Sequence, residues 1–159
     1  MILTEDSIAK IKAKVARYPR KKSGILPALT VAYRQIGHVD EEIYKEISKV
    51  IGVPTVEIAE AATFYTMFPK KPRGKYLLQV CNNISCALRG SDSMINHLEN
   101  KLDIKLGETT EDNMFSLIAV ECLGACATAP MIQVNMTYHE NLDANKLDSL
   151  IDELKEKKD

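Results

Sequence analysis

Apolar residues recur every three or four positions through the first 66 or so residues of the chain, a period that predicts helices. Four helices are expected, the second over residues 25–36. Thr4, Asp40 and Pro54 are placed to begin helices, and Gly37 and Gly52 to end them. The residues expected on the inner faces of the first three helices are Ile8, Ile11, Val15 and Tyr18, then Leu26, Leu29, Tyr33 and Ile36, then Ile43, Ile47 and Val50. The fourth helix is expected to run through Ile58, Ala59 and Ala62 to Tyr65.

The pattern changes at a basic, turn-rich junction, residues 69–74 (PKKPRG). Because proline and glycine interrupt regular elements, we place a domain boundary there, with one domain over residues 1–72 and another over 73–159. Short apolar runs beyond the junction predict strands at residues 75–80, 115–120 and 131–136, with a fourth near 138–139. Helical periodicity predicts an amphipathic helix over residues 86–102 and a final helix that Asp143 caps.

The order of these elements predicts the fold of the second half. The first two strands need a right-handed parallel crossover, and the third and fourth are close enough to pair as a hairpin. The resulting order, β-α-β-β-β-α, is that of a thioredoxin-like domain. The expected class is therefore α+β, an N-terminal helical bundle followed by a thioredoxin-like α/β domain with a mixed four-stranded sheet.

Composition and charge exclude several kinds of partner. The chain has 159 residues, 45% of them hydrophobic and 27% charged, with a net charge of −1. No block of like charge predicts binding to nucleic acid, and no apolar run is long enough for insertion into a membrane. The first residues show neither a secretory signal nor a transit peptide. A reducing compartment is expected, in which paired cysteines bind metal more often than they form disulfides.

Candidate chemistry lies in four cysteines, which form two short clips. Cys81 and Cys86 make a C-x4-C clip, and Cys122 and Cys126 make a C-x3-C clip, with 35 residues between the two. Each clip follows the end of a predicted strand. If those strands are parallel neighbours, their carboxyl ends meet, and the two clips converge as a four-sulfur site.

Three chemistries remain open for four such thiols. Zinc takes four cysteines in tetrahedral sites, although usually through C-x2-C knuckles in small domains that lack another core. A 2Fe-2S cluster also takes four thiolates and is larger, so wider clips suit it. Thiol–disulfide exchange normally uses C-x-x-C, which the chain lacks.

Small residues around the second clip favour the cluster, since they let backbone N–H groups approach sulfur. These are Gly124, Ala125, Ala127 and Ala129. The alternative is a tight turn between two elements. Pro130 directly precedes the third strand, a position that often holds a cis proline in thioredoxin-like folds, and a cis Ala129–Pro130 bond is our hypothesis.

Further motifs give the chain a resemblance that covers nearly its whole length. It resembles the 24-kDa-type, thioredoxin-like 2Fe-2S subunit of NADH:quinone oxidoreductase (complex I), which has relatives in NAD-linked hydrogenases and formate dehydrogenases. The matching segments are GILPAL (residues 24–29), ATFYTMF (62–68), QVCNNISC (79–86), GETTEDNMFSL (107–117), VECLGACATAP (120–130) and QVN (133–135).

The resemblance implies an electron-transfer subunit of an oxidoreductase, with no catalytic site in this chain alone. One 2Fe-2S cluster is implied, ligated by Cys81, Cys86, Cys122 and Cys126, with each clip on one iron. A neighbouring flavoprotein subunit would carry FMN and NADH, and further iron–sulfur subunits would complete the assembly. The implied location is cytoplasmic, in the peripheral arm of a membrane complex or in a soluble complex. This chain shows no GxGxxG and no P-loop of its own.

Other readings stay open beside this one. One alternative is the equivalent subunit of a soluble NAD-linked hydrogenase or formate dehydrogenase, which would transfer electrons by the same mechanism. Another is a freestanding ferredoxin, which would not need the N-terminal half. A zinc-stabilised interaction module would have no redox role. His38, His97 and His139 are expected in surface or capping roles. Phe64 is expected in the core, and Phe68 is left either in the core or on a docking surface.

Overall fold

The computed structural model describes residues 2–157. Contacts between residues divide the chain into two compact units, one ending at Pro72 and the other beginning at Arg73. Each unit has a hydrophobic core of its own. Within residues 2–157, no helix combines the length and the apolar character needed to cross a membrane.

Four helices build the first unit, as the periodicity predicts. They are α1 (Glu5–Val15), α2 (Ile25–Ile36), α3 (Glu41–Ile51) and α4 (Thr55–Phe64), and a short 3-10 turn over Lys21–Gly24 leads into α2. Their starts and ends follow local chemistry. The Thr4 side chain accepts the Ser7 N–H at 3.2 Å, which caps α1.

The inner faces of the helices differ in part from the prediction. Tyr18 lies beyond the end of α1 and is exposed, because that helix ends at Val15. On α2, Leu26 points outward, and the residues in the core are Ile25, Ala28, Leu29, Val31 and Ala32. Because Ala28, Val31 and Ala32 are buried, the buried face of α2 is rotated relative to the predicted one. Tyr33 and Ile36, which were predicted on the inner face, are only partly buried.

The prediction for Phe64 is wrong, and the position left open for Phe68 is in the core. Phe64, predicted in the core, is 76% exposed at the last position of α4, whereas Phe68 is 3% exposed. The ring of Phe68 packs edge-on against Tyr33, with 6.3 Å between ring centroids. The segment after α4 folds back, since the Val39 N–H donates to the carbonyl of Pro69 at 2.8 Å. That return brings Phe68 into the core.

A mixed four-stranded sheet in the order β2-β1-β3-β4 forms the centre of the second unit. Its strands are β1 (Tyr76–Cys81), β2 (Phe115–Val120), β3 (Ile132–Val134) and β4 (Thr137–His139). The predicted pairings are confirmed, since β1 and β2 are parallel and β3 and β4 form an antiparallel hairpin. β3 is shorter than the predicted 131–136 because Asn135 takes a left-handed φ of 53° at the turn, whereas β4 begins one residue before the predicted 138–139.

Three helices complete the second unit, α5 (Ile84–Leu88), α6 (Ser91–Leu102) and α7 (Ala144–Glu156). The single helix predicted over residues 86–102 is wrong, because Gly90 has a φ of 94° and separates α5 from α6. Only glycine adopts that conformation without steric cost. Asp143 caps α7 as predicted, accepting the Lys146 N–H at 2.9 Å. The predicted inner face of α7 is buried, namely Leu147, Leu150, Ile151 and Leu154.

Candidate metal centre

The sheet brings the two clips to one edge. Cys81 is the last residue of β1 and lies opposite Val120, the last residue of β2. The parallel ladder extends one step further, since the Asn82 N–H donates to the Val120 carbonyl at 3.1 Å. Cys122 follows two residues after Val120, and Cys126 begins a short 3-10 turn over Cys126–Thr128. Both clips therefore start from the carboxyl ends of hydrogen-bonded neighbouring strands.

The first clip is buried. The backbone turns back at Asn83, whose carbonyl accepts the Cys86 N–H at 2.8 Å, so α5 returns the Cys86 thiol toward Cys81. Cys81 and Cys86 pack with Ala129 and Met131 in a small apolar cluster, against which Leu123 and Ala125 also lie. The first clip thus forms the inner wall of the site.

The two thiols of the first clip contact each other, and their pKa values move in opposite directions. Burial raises the pKa of Cys81, but hydrogen bonds from the backbone amides of Asn83 and Leu123, and from the Cys86 thiol, bring that pKa below its ordinary value. Burial, the bond to Cys81 and the negative charge of Cys81 and Cys126 raise the pKa of Cys86 to about 11, although the Met131 amide acts against this. Cys126 is therefore close enough to act on Cys86 electrostatically.

The second clip is open to solvent, and all four cysteines are free thiols. Gly124, at the centre of this clip, has a φ of 78°, and its N–H donates to the Cys122 sulfur at 3.3 Å. Nothing lies within 4 Å of where a Cβ would stand on Gly124, so backbone conformation, rather than space, favours glycine there. The predicted approach of a backbone amide to sulfur is found at this residue.

The hypothesis of a cis Ala129–Pro130 bond is confirmed. The bond lies between the second clip and β3, and Ala129 is fully buried beside the first clip. The carbonyl of Met131, the next residue, accepts the Cys81 N–H at 3.4 Å. The cis-proline segment therefore contacts the inner wall of the site.

Tyr138 is a site residue that the sequence analysis missed. Its hydroxyl donates to the carbonyl of Leu123, inside the second clip, at 2.8 Å. From the sequence, Tyr138 is predicted only as part of a short strand. A contact across 15 positions leaves no spacing signal, so the pairing of β3 with β4 is what brings the tyrosine to the clip.

Two of the three histidines lie beside carboxylates rather than beside the cysteines. On α6, the Nε2 atom of His97 lies 2.8 Å from a carboxylate oxygen of Asp148 on α7, and this pair joins the two helices. In the first unit, the Nε2 atom of His38 lies 3.7 Å from a carboxylate oxygen of Asp40. Burial lowers the pKa of His139. Both His38 and His97 are partly buried beside a carboxylate, and neither is shown as a helix cap.

The residues at this edge of the sheet fit a 2Fe-2S group. Four thiols are the donor set that such a group requires, and backbone amides already point at the sulfurs of Cys81, Cys86 and Cys122. Those amides balance the negative charge that four thiolates would bring together. Within residues 2–157, no group of three or more His, Cys, Asp or Glu side chains is arranged so that it could hold a single metal ion.

Comparison with known proteins places the chain among relatives of the kind expected. A subunit of the NADH-quinone oxidoreductase of Rhizobium meliloti (strain 1021) is 48% identical over 143 residues, which cover 90% of this chain and 85% of that one. A subunit of the same enzyme from Rickettsia conorii (strain ATCC VR-613 / Malish 7) is 44% identical over 143 residues, 88% of this chain and 86% of that one. These relatives confirm the resemblance to a subunit of NADH:quinone oxidoreductase.

A solved structure and a family model extend the comparison. An NAD+-reducing [NiFe]-hydrogenase in the air-oxidized state matches with a TM-score of 0.70 and 28% identity over 83% of this chain. This chain corresponds to 23% of that hydrogenase chain. The model of the family described as thioredoxin-like [2Fe-2S] ferredoxin matches residues 11–155. Since this match spans most of the sequence and includes all four cysteines, the chain belongs to the thioredoxin-like [2Fe-2S] ferredoxin family.

Proposed function

We propose that this chain holds one 2Fe-2S cluster on Cys81, Cys86, Cys122 and Cys126 and exchanges single electrons with the FMN of a partner subunit that oxidises NADH. The assembly would be an NADH:quinone oxidoreductase. The observation that carries the proposal is that both clips start from the paired ends of β1 and β2, with the backbone amide of Leu123, inside the second clip, donating to the sulfur of Cys81 in the first. The chain is an electron-transfer subunit of an oxidoreductase, as its family and relatives support.

The two clips would contribute differently. When bound, the cluster supplies one-electron chemistry without rearrangement of covalent bonds. Cys81 and Cys86 hold the buried side, where apolar neighbours exclude water. Cys122 and Cys126 hold the exposed side, which shortens the path to a partner. We propose that each clip serves one iron, because its two thiols are few residues apart.

Exposed apolar side chains support docking by a partner protein. In the first unit, Phe64, Tyr65 and Met67 are exposed around the end of α4. In the second unit, Ile84 and Leu88 are exposed on α5, the helix that carries Cys86. Soluble proteins seldom leave neighbouring large apolar side chains in water without a binding role. We propose that the flavoprotein subunit covers these residues, with the first unit as a docking domain, and that the assembly is cytoplasmic.

A second assembly is also supported by a specific observation. The solved structure that matches this chain is a hydrogenase that reduces NAD+, at 28% identity. The equivalent subunit of such a hydrogenase would use the same four cysteines and the same kind of flavin partner. We prefer the quinone-linked assembly because the two NADH-quinone oxidoreductase subunits are 44–48% identical to this chain, whereas the hydrogenase is 28% identical.

Mild, anaerobic purification from the native cells tests the assembly, with the co-purifying chains identified by mass spectrometry. We expect an FMN-binding subunit together with quinone-reducing and membrane-arm subunits. If an FMN-binding subunit co-purifies with a hydrogenase or formate dehydrogenase chain, the proposed quinone-linked assembly is wrong, but the electron-transfer role of this chain is kept. If no flavoprotein accompanies the chain, it acts as a freestanding ferredoxin and the proposed partner is wrong.

The same purification with a chain that begins at Arg73 tests the docking role of the first unit. The second unit has its own core, so we expect the shortened chain to keep its visible absorption while losing the flavoprotein. The matched full-length chain, expressed in the same way, is the control. Undiminished recovery of the flavoprotein with the shortened chain would assign docking to the second unit alone.

A further inference from the structure

Tyr138 makes a contact that packing alone does not explain. Its side chain is 48% exposed on β4, at the edge of the sheet, so water could satisfy its hydroxyl. Instead the hydroxyl donates to the Leu123 carbonyl at 2.8 Å, inside the loop between Cys122 and Cys126. The contact therefore ties the hairpin of β3 and β4 to the second clip.

The peptide group that accepts this bond also contacts a cysteine. The Leu123 carbonyl and the Gly124 N–H belong to one planar peptide, and in the trans form they point in opposite directions. The Gly124 N–H donates to the Cys122 sulfur at 3.3 Å. A single peptide group thus has the Tyr138 hydroxyl at one end and a candidate ligand sulfur at the other.

The bond from Tyr138 restrains this peptide from outside the loop. Gly124 has a φ of 78°, and glycine populates both signs of φ, so its own backbone imposes little preference on the orientation of the peptide. The later part of the loop is held separately, since the Thr128 N–H and hydroxyl both donate to the Ala125 carbonyl at 3.1 Å. Those bonds do not reach the peptide between residues 123 and 124, whereas the bond from Tyr138 does.

We propose that Tyr138 is a positioning residue for the cluster, because its hydroxyl orients the Leu123–Gly124 peptide so that the Gly124 N–H donates to Cys122. The inference rests on the proposed function, in which Cys122 is a ligand. A hydrogen bond accepted by the carbonyl also polarises the peptide and strengthens its N–H as a donor. Donors to the sulfurs favour the reduced cluster, which carries one more negative charge, so Tyr138 raises the reduction potential.

The test is the substitution Tyr138→Phe in the cluster-loaded full chain, followed by an EPR-monitored redox titration. We expect the iron content to be kept while the midpoint potential falls. At the wild-type midpoint, the ratio of reduced to oxidised cluster should fall by roughly 2- to 10-fold, the effect of one hydrogen bond. Ten-fold corresponds to about 59 mV for a one-electron couple. The g-values of the reduced cluster should also change.

Tyr18→Phe is the matched control, because Tyr18 is similarly exposed, at 43%, but belongs to the first unit. Its midpoint potential should equal that of the wild type. An unchanged midpoint and unchanged g-values in loaded Tyr138→Phe would overturn the proposal. If that variant does not retain iron, Tyr138→p-aminophenylalanine decides, because its amino group places a hydrogen-bond donor where the hydroxyl stands. Recovery of iron in this variant supports the proposal, and continued loss of iron overturns it.

Failure of this inference is distinguishable from failure of the proposed function. A wild-type chain that binds no iron would remove the function and the inference together. A wild-type chain with a normal cluster, whose potential does not respond to the substitution, would remove only the role of Tyr138.

Discussion

Replacing Cys86 with alanine is expected to leave the chain unable to retain its cluster. Cys86 is 2% exposed and contacts Cys81 on the inner side of the site, so its loss leaves that side with a single thiol. The three remaining thiols are a donor set too small for a 2Fe-2S group. We expect iron per chain, visible absorption and the EPR signal of the reduced protein all to fall to background.

Ile84→Ala is the control for the cysteine substitution, since Ile84 lies on the same short helix but points to solvent. This variant should keep its iron and its EPR signal. Far-UV circular dichroism should show that both variants keep their secondary structure, because neither replacement affects the two main cores. A Cys86→Ala protein with the wild-type EPR signal would show that Cys86 is not a ligand.

Phe68→Ala is expected to destabilise the helical unit by about 3–5 kcal/mol, the usual cost of removing a buried phenylalanine. Phe68 is 3% exposed and packs edge-on against Tyr33. Phe64→Ala should change the same free energy of unfolding by no more than about 0.5 kcal/mol, because Phe64 is largely exposed. Urea titrations followed by circular dichroism at helical wavelengths measure both.

This pair is well matched, since the two phenylalanines are four residues apart in the same unit. Equal costs for the two substitutions would contradict the placement of the segment after α4. A large cost for Phe64→Ala with a small cost for Phe68→Ala would restore the placement that the sequence alone suggested for Phe64. The docking role proposed for Phe64 predicts a separate effect, namely weaker association with the flavoprotein at unchanged stability.

Local patterns were sufficient to predict much of the fold and the position of both clips at the carboxyl ends of neighbouring strands. Each clip follows an apolar run of strand length, and the parallel pairing of β1 with β2 then brings the clips together. The cap at Asp143 and the inner face of α7 also follow from short-range chemistry, because a capping side chain acts within one helical turn. These features depend on residues close in sequence or on one simple rule of strand connection.

Three other features were not predictable in the same way. The break at Gly90 interrupts a helical pattern whose apolar spacing continues through it. Phe64 and Phe68 are both aromatic and near a helix end, and the return of the chain to Val39 decides which one is buried. Tyr138 reaches Leu123 through the hairpin of β3 and β4. For Phe68 and Tyr138 a tertiary contact determines the outcome, whereas the break at Gly90 follows from the left-handed φ of that glycine.

Metal and sulfide analysis of the anaerobically purified wild-type chain, combined with EPR after reduction, tests the central claim most directly. The claim is that Cys81, Cys86, Cys122 and Cys126 together hold one 2Fe-2S cluster. The account predicts a coloured protein with equal iron and acid-labile sulfide, two of each per chain, and an EPR signal from a single binuclear centre on reduction. A colourless protein that contains zinc and no sulfide, and that gives no EPR signal on reduction, would contradict it.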